Sequence, residues 1–280
     1  MNQIIDWNEI WKLAHSIHPP SSDPWASRAK HFDKHIESRS HEDDEVIAGF
    51  HCKPTDTVLD IGAGTGRYAI PLSKQVASVT AVEPSATMRS ILEKKQTDAH
   101  ISNIVTIPLP WEDITIGKEI EPHDIVLASH SLTMYDLKEA LLKINCAAKR
   151  EVWLILFAGN KMDSWLREIL AKAGVNPETK EKPFDYLIVY SMLHSLEIYA
   201  DISICTYEFS ERYPDIETAL QDWRLMYNIS PENQIFTQEM TRQLILTNNM
   251  YSVARTSRIA IIHWHVTSRG GRDDPICITL

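Results

Sequence analysis

Seven residues, Asp60-Ile-Gly-Ala-Gly-Thr-Gly66, join a short apolar run to a helical pattern, and Glu83 closes the next apolar run 23 residues after Asp60. Glycines in such a turn let the backbone approach a ligand with no Cβ in the way. Two ligand chemistries suit it. One is a dinucleotide, whose G-x-G-x-x-G fingerprint uses its third glycine for close helix–strand packing beside a pyrophosphate. Here the glycines fall at 62, 64 and 66, and position 67 is Arg, so a bulky cation stands where that glycine belongs. The other is a sulfonium nucleoside, which carries an ammonium, a sulfonium and a carboxylate but no phosphate. Asp60 suits its cationic end, the backbone of Gly62, Ala63, Gly64 and Gly66 can approach it, and Glu83 is placed to accept from two ribose hydroxyls. Pro84 and Ser85 then open the next helix.

The surrounding pattern supplies the elements that position these residues. Apolar runs at 57–61, 78–82, 103–107, 124–129 and 151–157 alternate with helical patterns, which predicts a parallel sheet covered on both faces. Ahead of it, residues 3–17 read as an amphipathic helix with Ile4, Trp7, Trp11 and Ala14 on one face and Ile10, Leu13 and Ile17 beside it. Pro19 to Pro24 break the chain, a second helix carries Trp25, Ala29, Phe32 and Ile36, and Ser40 is placed to cap a third. After Gly159 the alternation stops. Helices are expected over 161–173, ended by Gly174, and over 184–196, 216–227 and 237–248. An extended segment spans 198–212, and a last strand spans 258–266.

Val58-Leu-Asp-Ile-Gly-Ala-Gly-Thr-Gly66 together with Val79-Thr-Ala-Val-Glu-Pro-Ser-Ala-Thr-Met88 resembles the class I, Rossmann-like methyltransferases, near their small-molecule "type 11/12" branch. The resemblance covers about residues 50–160. It implies a doubly wound α/β sheet of seven strands, the last antiparallel, with helical cap elements. It implies S-adenosyl-L-methionine as cofactor and a small-molecule methyl acceptor. The expected division is 1–45 as a helical segment covering the site, 46–160 as the cofactor-binding core, and 161–280 as cap helices with the last two strands. By the same resemblance Pro108 to Asp113 flank the adenine, with Trp111 packing on the ring and Glu112 or Asp113 in the polar role in place of the Asp that relatives carry at position 110. Ser129 faces the methionine part of the cofactor. Trp25 and Arg28 lie in a segment that folds over it. His130 and Tyr135, with Asp136 beside them, are the candidate catalytic groups near the end of the fourth strand, where open α/β sheets gather ligands.

Composition narrows the alternatives. The net charge of -10 and the lack of a dense basic cluster argue against nucleic-acid and anionic-membrane partners. His130-Ser-Leu-Thr133 stands where methylases of amides or adenine bases carry an Asn-Pro-Pro-Tyr type tetrapeptide. No apolar run reaches the length of a bilayer span and no signal peptide opens the chain, so a cytoplasmic monomer or homodimer is expected. Cys52, Cys146, Cys205 and Cys277 form no C-x-x-C pair and read as thiols. His31/His35 and His263/His265 share faces but lack a third ligand, so no metal is expected. Two other classes remain open: a non-catalytic protein that binds S-adenosylmethionine or S-adenosylhomocysteine as a regulatory or assembly partner, and a methylase of protein side chains or of a metallocofactor-linked acceptor.

Overall fold

The computed structural model describes residues 5–17, 29, 33, 40–159, 162–176 and 186–266. Among the described residues, α1 (Trp7–Ile17) and α2 (Ser40–Ala48) precede the sheet. The parallel part follows as β1 (Thr57–Ile61), α3 (Ala69–Ser73), β2 (Ser78–Val82), α4 (Ala86–Asp98), β3 (Ile104–Ile107), β4 (His123–Ser129), α5 (Leu137–Ala147) and β5 (Ala148–Phe157). Then come α6 (Ser164–Lys172), α7 (Tyr186–Ser195), β6 (Asp201–Tyr213), α8 (Ile216–Tyr227), α9 (Gln234–Gln243), β7 (Ile245–Thr247) and β8 (Met250–His265).

The strands order as β3-β2-β1-β4-β5-β8-β6, with β8 antiparallel to both neighbours. This is the doubly wound sheet with an antiparallel last strand. The short β7, paired only to β8, adds an eighth strand to the expected seven. Alternate strand residues feed two faces. Leu59, Ile61, Val126, Ala128, Val152 and Leu154 pack with α5, α7 and Trp11. Val58, Val79, Ala81, Ile125 and Leu127 pack with Val46 and Ile47 of α2, with Phe50 just after it, and with Ala69 and Leu72 of α3. Burial on both faces explains why these strands read as continuous apolar runs.

Beyond the sheet lies a third core. Only 259–265 of β8 pair with β5, and Ile259 sits opposite Phe157 at the C-terminal end of β5. Residues 250–258 therefore continue past the edge where the parallel strands end, still paired with β6. At strand rise this overhang reaches about 30 Å. Leu166 and Leu170 of α6, Trp223 of α8, and Phe236 and Met240 of α9 pack against Tyr213 and Val253 of this hairpin to form the cap. Asp163, Glu211 and Arg255 join its parts. Arg255 donates to Glu211 at 2.8 Å and to Asp163 at 2.5 Å, and Glu211 also accepts from Tyr213 and Trp223.

Several expectations shift. The helix expected over 237–248 runs over Gln234–Gln243 and is capped by Asn233 rather than Thr237. A hairpin follows, because Asn248 and Asn249 both take left-handed φ (+51 and +60) and close a tight two-residue turn. Lys149 and Arg150 follow the end of α5 and lie at the start of β5. Arg150 grips Asp56 through two bonds of 2.9 and 2.8 Å. On α1, Trp11 and Ala14 are buried, but Ile10 and Leu13 face solvent. Gly174 ends α6 as expected, in left-handed φ, with Val175 N–H returning to Leu170. Cys52 and Cys205 are free thiols, whereas Cys146 is disulfide-bonded, contrary to the reading of four thiols. No described helix is long and apolar enough to cross a membrane.

Candidate functional site

β1 and β4 are neighbours, with Ile61 opposite Ala128, yet their connections leave toward opposite sides of the sheet. That reversal opens a crevice at the C-terminal edge, the usual ligand position in such sheets. The glycine turn fills one lip. Gly62, Gly64 and Gly66 take φ of +72, +58 and +89, a region that costs an L side chain strain. A Cβ on Gly62 would lie 2.3 Å from the Cβ of Ser131, on the loop after β4. The turn and that loop therefore touch with no room for a methyl group.

The N–H groups of this turn are largely consumed within it. Those of Gly62 and Ala63 donate to the Val82 carbonyl at 2.7 and 3.1 Å, Gly66 donates to Ala63 at 3.0 Å, and Gly64 donates to the Glu83 carboxylate at 2.8 Å. A turn that cradles a pyrophosphate points such donors outward. This one instead presents carboxylates. Glu83 is buried, its other oxygen accepts the Ser85 N–H at 2.8 Å, and Arg89 of α4 holds the Glu83 and Pro84 carbonyls at 2.7 Å each. Ser85 caps α4 as expected.

Asp60 is 2 % exposed, and its Oδ2 has no hydrogen-bond partner among the described residues. Burial first, and the charge of Glu83 second, push its pKa up to about 7. A buried carboxylate with a vacant acceptor suits a cationic ligand, so the residues present fit a sulfonium nucleoside. The raised pKa sets a pH dependence. Below about pH 4 Asp60 is protonated in both folded and unfolded chains. As pH rises from about 4 to 7 the unfolded chain ionises first, so this residue's contribution to stability is lost across that window and is flat above it. Melting of the ligand-free protein from pH 5 to 8 should show that fall, and Asp60→Asn should flatten it. An equal fall in the variant would assign it elsewhere.

The remaining candidates separate. Ser129 and His130 end β4 at the crevice. His130 takes left-handed φ (+53), its N–H donates to Ile155 at 2.8 Å, and its ring stacks on Phe157 with centroids 4.1 Å apart. Phe157 pairs with Ile259, so the stack sits at the base of the β8 overhang. Tyr135 is not in this group. It is 59 % exposed, lies edge-on to His15 and sits beneath the Lys12 ammonium of α1. Asp136 caps α5 through the Glu139 N–H and pairs with Lys12 at 2.9 Å. Burial opposes its ionisation, but the Glu139 N–H, Lys12 and Asn8 hold its pKa below the usual carboxylate range. That occupied carboxylate makes a poor base.

Trp111 turns inward rather than toward the crevice. It is 3 % exposed, and its indole N–H points to the Ala140 carbonyl at 3.4 Å. Lys143 sits over its ring and donates to the Glu112 and Ile114 carbonyls at 2.9 and 3.0 Å. Burial lowers the Lys143 pKa. This pins the short helical turn Trp111–Asp113 and leaves the Glu112 side chain exposed. Trp25 and Arg28 lie outside the described residues, as do His31 and His35. His263 stacks on Trp153 beside Glu151, at the opposite edge of the sheet. Among the described residues no three His, Cys, Asp or Glu side chains gather to hold a metal.

Sequence patterns missed three supporting residues: Arg89, Lys143, and Asn8, whose side chain bonds Asp136 at 3.1 Å and accepts the Lys138 N–H at 3.0 Å. α1 is further tied to the loop after β4 by Trp11, which donates to the Met134 carbonyl at 2.7 Å, and by His15, 2.8 Å from the Thr133 carbonyl. The contacts of α1 span more than 100 residues of sequence, and no local pattern marks them.

Comparison with known proteins agrees with this geometry. Residues 58–150 match a family profile described as a methyltransferase domain. An uncharacterized protein of Haemophilus influenzae is 29% identical over 110 residues, which is 39% of this chain and 40% of that protein. The mitochondrial ribosomal RNA small subunit methyltransferase of Arabidopsis thaliana is 34% identical over 74 residues, 26% of this chain and 20% of that one. The chain thus spans less than half the length of these curated relatives. Among solved structures, a provisionally assigned methyltransferase of Bacillus halodurans C-125 superposes with a TM-score of 0.54 at 11% identity, covering 81% of this chain and 100% of that one. The YcgJ protein of Bacillus subtilis gives 0.51 at 15% identity, covering 79% and 97%. At these identities the two structures speak to the fold.

Proposed function

From the match of residues 58–150 to a methyltransferase-domain profile and the geometry of the glycine turn, we propose that the protein is a class I methyltransferase that transfers a methyl group from S-adenosylmethionine to a small-molecule acceptor. One observation carries the choice of ligand: the N–H groups of the glycine turn are spent on Val82 and Glu83, and what the turn offers is a pair of buried carboxylates. A pyrophosphate would meet repulsion there, and a sulfonium nucleoside meets complementary charge.

In this reading Glu83 accepts from the ribose hydroxyls and Asp60 faces the cationic end. The backbone of Ala63, Gly64 and Gly66 lies along the ligand. Glu112 stands beside the adenine, and Ser129 beside the methionine part. The cofactor supplies an electrophilic methyl group. The chain's task is to align the acceptor in line with it and to exclude water. The cap, carried past the sheet edge on the β6–β8 overhang, is placed to close over an acceptor lying on the His130–Phe157 stack. His130 is the group positioned to take a proton from an acceptor that must lose one.

The test is incubation of the protein with methyl-labelled cofactor and a cell extract, followed by separation of the labelled products by size. Label in low-mass products supports the reading. Label in proteins would move the acceptor to side chains, and no label with intact cofactor binding would support a non-catalytic role. Glu83→Ala should weaken cofactor binding by about 2 kcal/mol, the worth of hydrogen bonds to a charged acceptor, as read by calorimetry. Unchanged affinity would remove Glu83 from the ribose.

A further inference from the structure

Asp43 precedes the first residue of the matched domain by 15 positions, yet it is built into the far side of the glycine turn. α2 and the turn after it bring it there by packing Val46, Ile47 and Phe50 into the same core as Tyr68 and Ala69, with the Phe50 and Tyr68 ring centroids 6.3 Å apart. The Asp43 carboxylate takes Nε of Arg67 at 2.8 and 2.9 Å and lies 2.6 Å from an Nη2 of the same guanidinium. It also accepts the Tyr68 hydroxyl at 3.4 Å. Only 7% of the Asp43 side chain and 12% of the Arg67 side chain remain exposed.

Arg67 and Tyr68 directly follow the turn. Three of its five residues are glycines in left-handed φ, and because glycine has many accessible backbone states this one shape must be fixed by neighbours. At the entry to the turn, Gly62 is fixed by Val82 and by contact with Ser131. At the exit, Gly66 is wedged against Leu92 and Ile70, and the next two side chains are both held by one carboxylate. Tyr68 also lies within the electrostatic reach of Asp60, and burial raises its pKa. A buried ion pair adds little net stability over apolar side chains of the same size. What Asp43 adds is direction: it points the Arg67 cation toward α2.

We propose that Asp43 is a positioning residue for the cofactor site, holding the exit of the glycine turn through Arg67 and Tyr68 and keeping the Arg67 charge turned from a cationic ligand. The inference rests on the reading of that turn as the S-adenosylmethionine site. It makes α2, outside the matched domain, part of the binding apparatus.

The test compares Asp43→Asn, Asp43→Glu and the double variant Asp43→Leu/Arg67→Met by thermal melting and by calorimetric titration with S-adenosylhomocysteine. Asp43→Asn should bind at least about tenfold more weakly, and Asp43→Glu should recover most of that loss. The double variant replaces the pair by apolar side chains and should melt close to the parent protein while still binding about tenfold more weakly. Parental affinity in the double variant, or in Asp43→Asn, overturns the proposal and leaves the pair a purely structural contact. Failure of the parent protein itself to bind is a different result: it removes the cofactor reading and this inference with it.

Discussion

Gly62→Ala is expected to abolish measurable cofactor binding and to destabilise the fold by about 4 kcal/mol. Two penalties combine. Left-handed φ (+72) costs an alanine roughly 1–2 kcal/mol. The new methyl would also lie 2.3 Å from the Ser131 Cβ, an atom fixed to backbone that cannot swing aside. Relief needs the turn and the loop after β4 to part, at a cost of roughly 1–3 kcal/mol by the measure of other overpacked sites. The same separation would widen the crevice between Asp60 and His130. Gly66→Ala offers a comparison, because at φ +89 it shares the backbone cost while its methyl meets side-chain atoms only, Leu92 Cδ1 at 2.5 Å and Ile70 Cγ1 at 2.9 Å. Urea unfolding and calorimetry on both variants check this. A Gly62→Ala protein with parental stability would mean that the turn and Ser131 are not in contact.

Arg255→Met should be the most damaging single change in the cap. Arg255 is 8 % exposed and neutralises two buried carboxylates, Asp163 and Glu211, which otherwise face each other's charge. The cluster joins the start of α6, β6 and β8, and through Trp223 it reaches α8. Asp163 also accepts the Thr256 N–H, in the gap of β8 between its pairing with β7 and with β5. Removing one partner of a buried ionic network costs about 3–5 kcal/mol, or a fall in melting temperature of about 10 °C for a chain of this size. The two carboxylates would then be left buried with no cation between them, and that uncompensated charge is the origin of the deficit. Adding Glu211→Gln to Arg255→Met should recover part of the loss. A melting temperature unchanged at pH 8 would show that the cap does not depend on this cluster.

The parts of the fold that could be read from sequence are those whose signals are local. β1, β2, β4 and β5 are buried on both faces and wrote themselves as apolar runs. The glycine turn and Glu83 stood at fixed spacing, and Ser85 and Gly174 marked helix ends. What escaped depends on partners distant in the chain. Trp111 looked like a ligand-facing aromatic until α5 supplied the Ala140 carbonyl and the Lys143 ammonium for it. Tyr135 and Asp136 sat close to His130 in sequence, but α1 takes both. The β7–β8 hairpin hid inside a helical pattern, because two adjacent asparagines in left-handed φ turn the chain where no glycine or proline marks the place. The overhang of β8 could not be foreseen either, since its outer half pairs with a strand that is itself beyond the sheet edge.

The central claim is that the turn after β1 receives a sulfonium nucleoside between Asp60 and Glu83. Co-crystallisation with S-adenosylhomocysteine tests it most directly. The account predicts density for the nucleoside across the ends of β1 and β2, with the ribose hydroxyls on the Glu83 carboxylate. Nucleoside density at any other place, or NAD with its pyrophosphate against Gly62–Gly66, would contradict it.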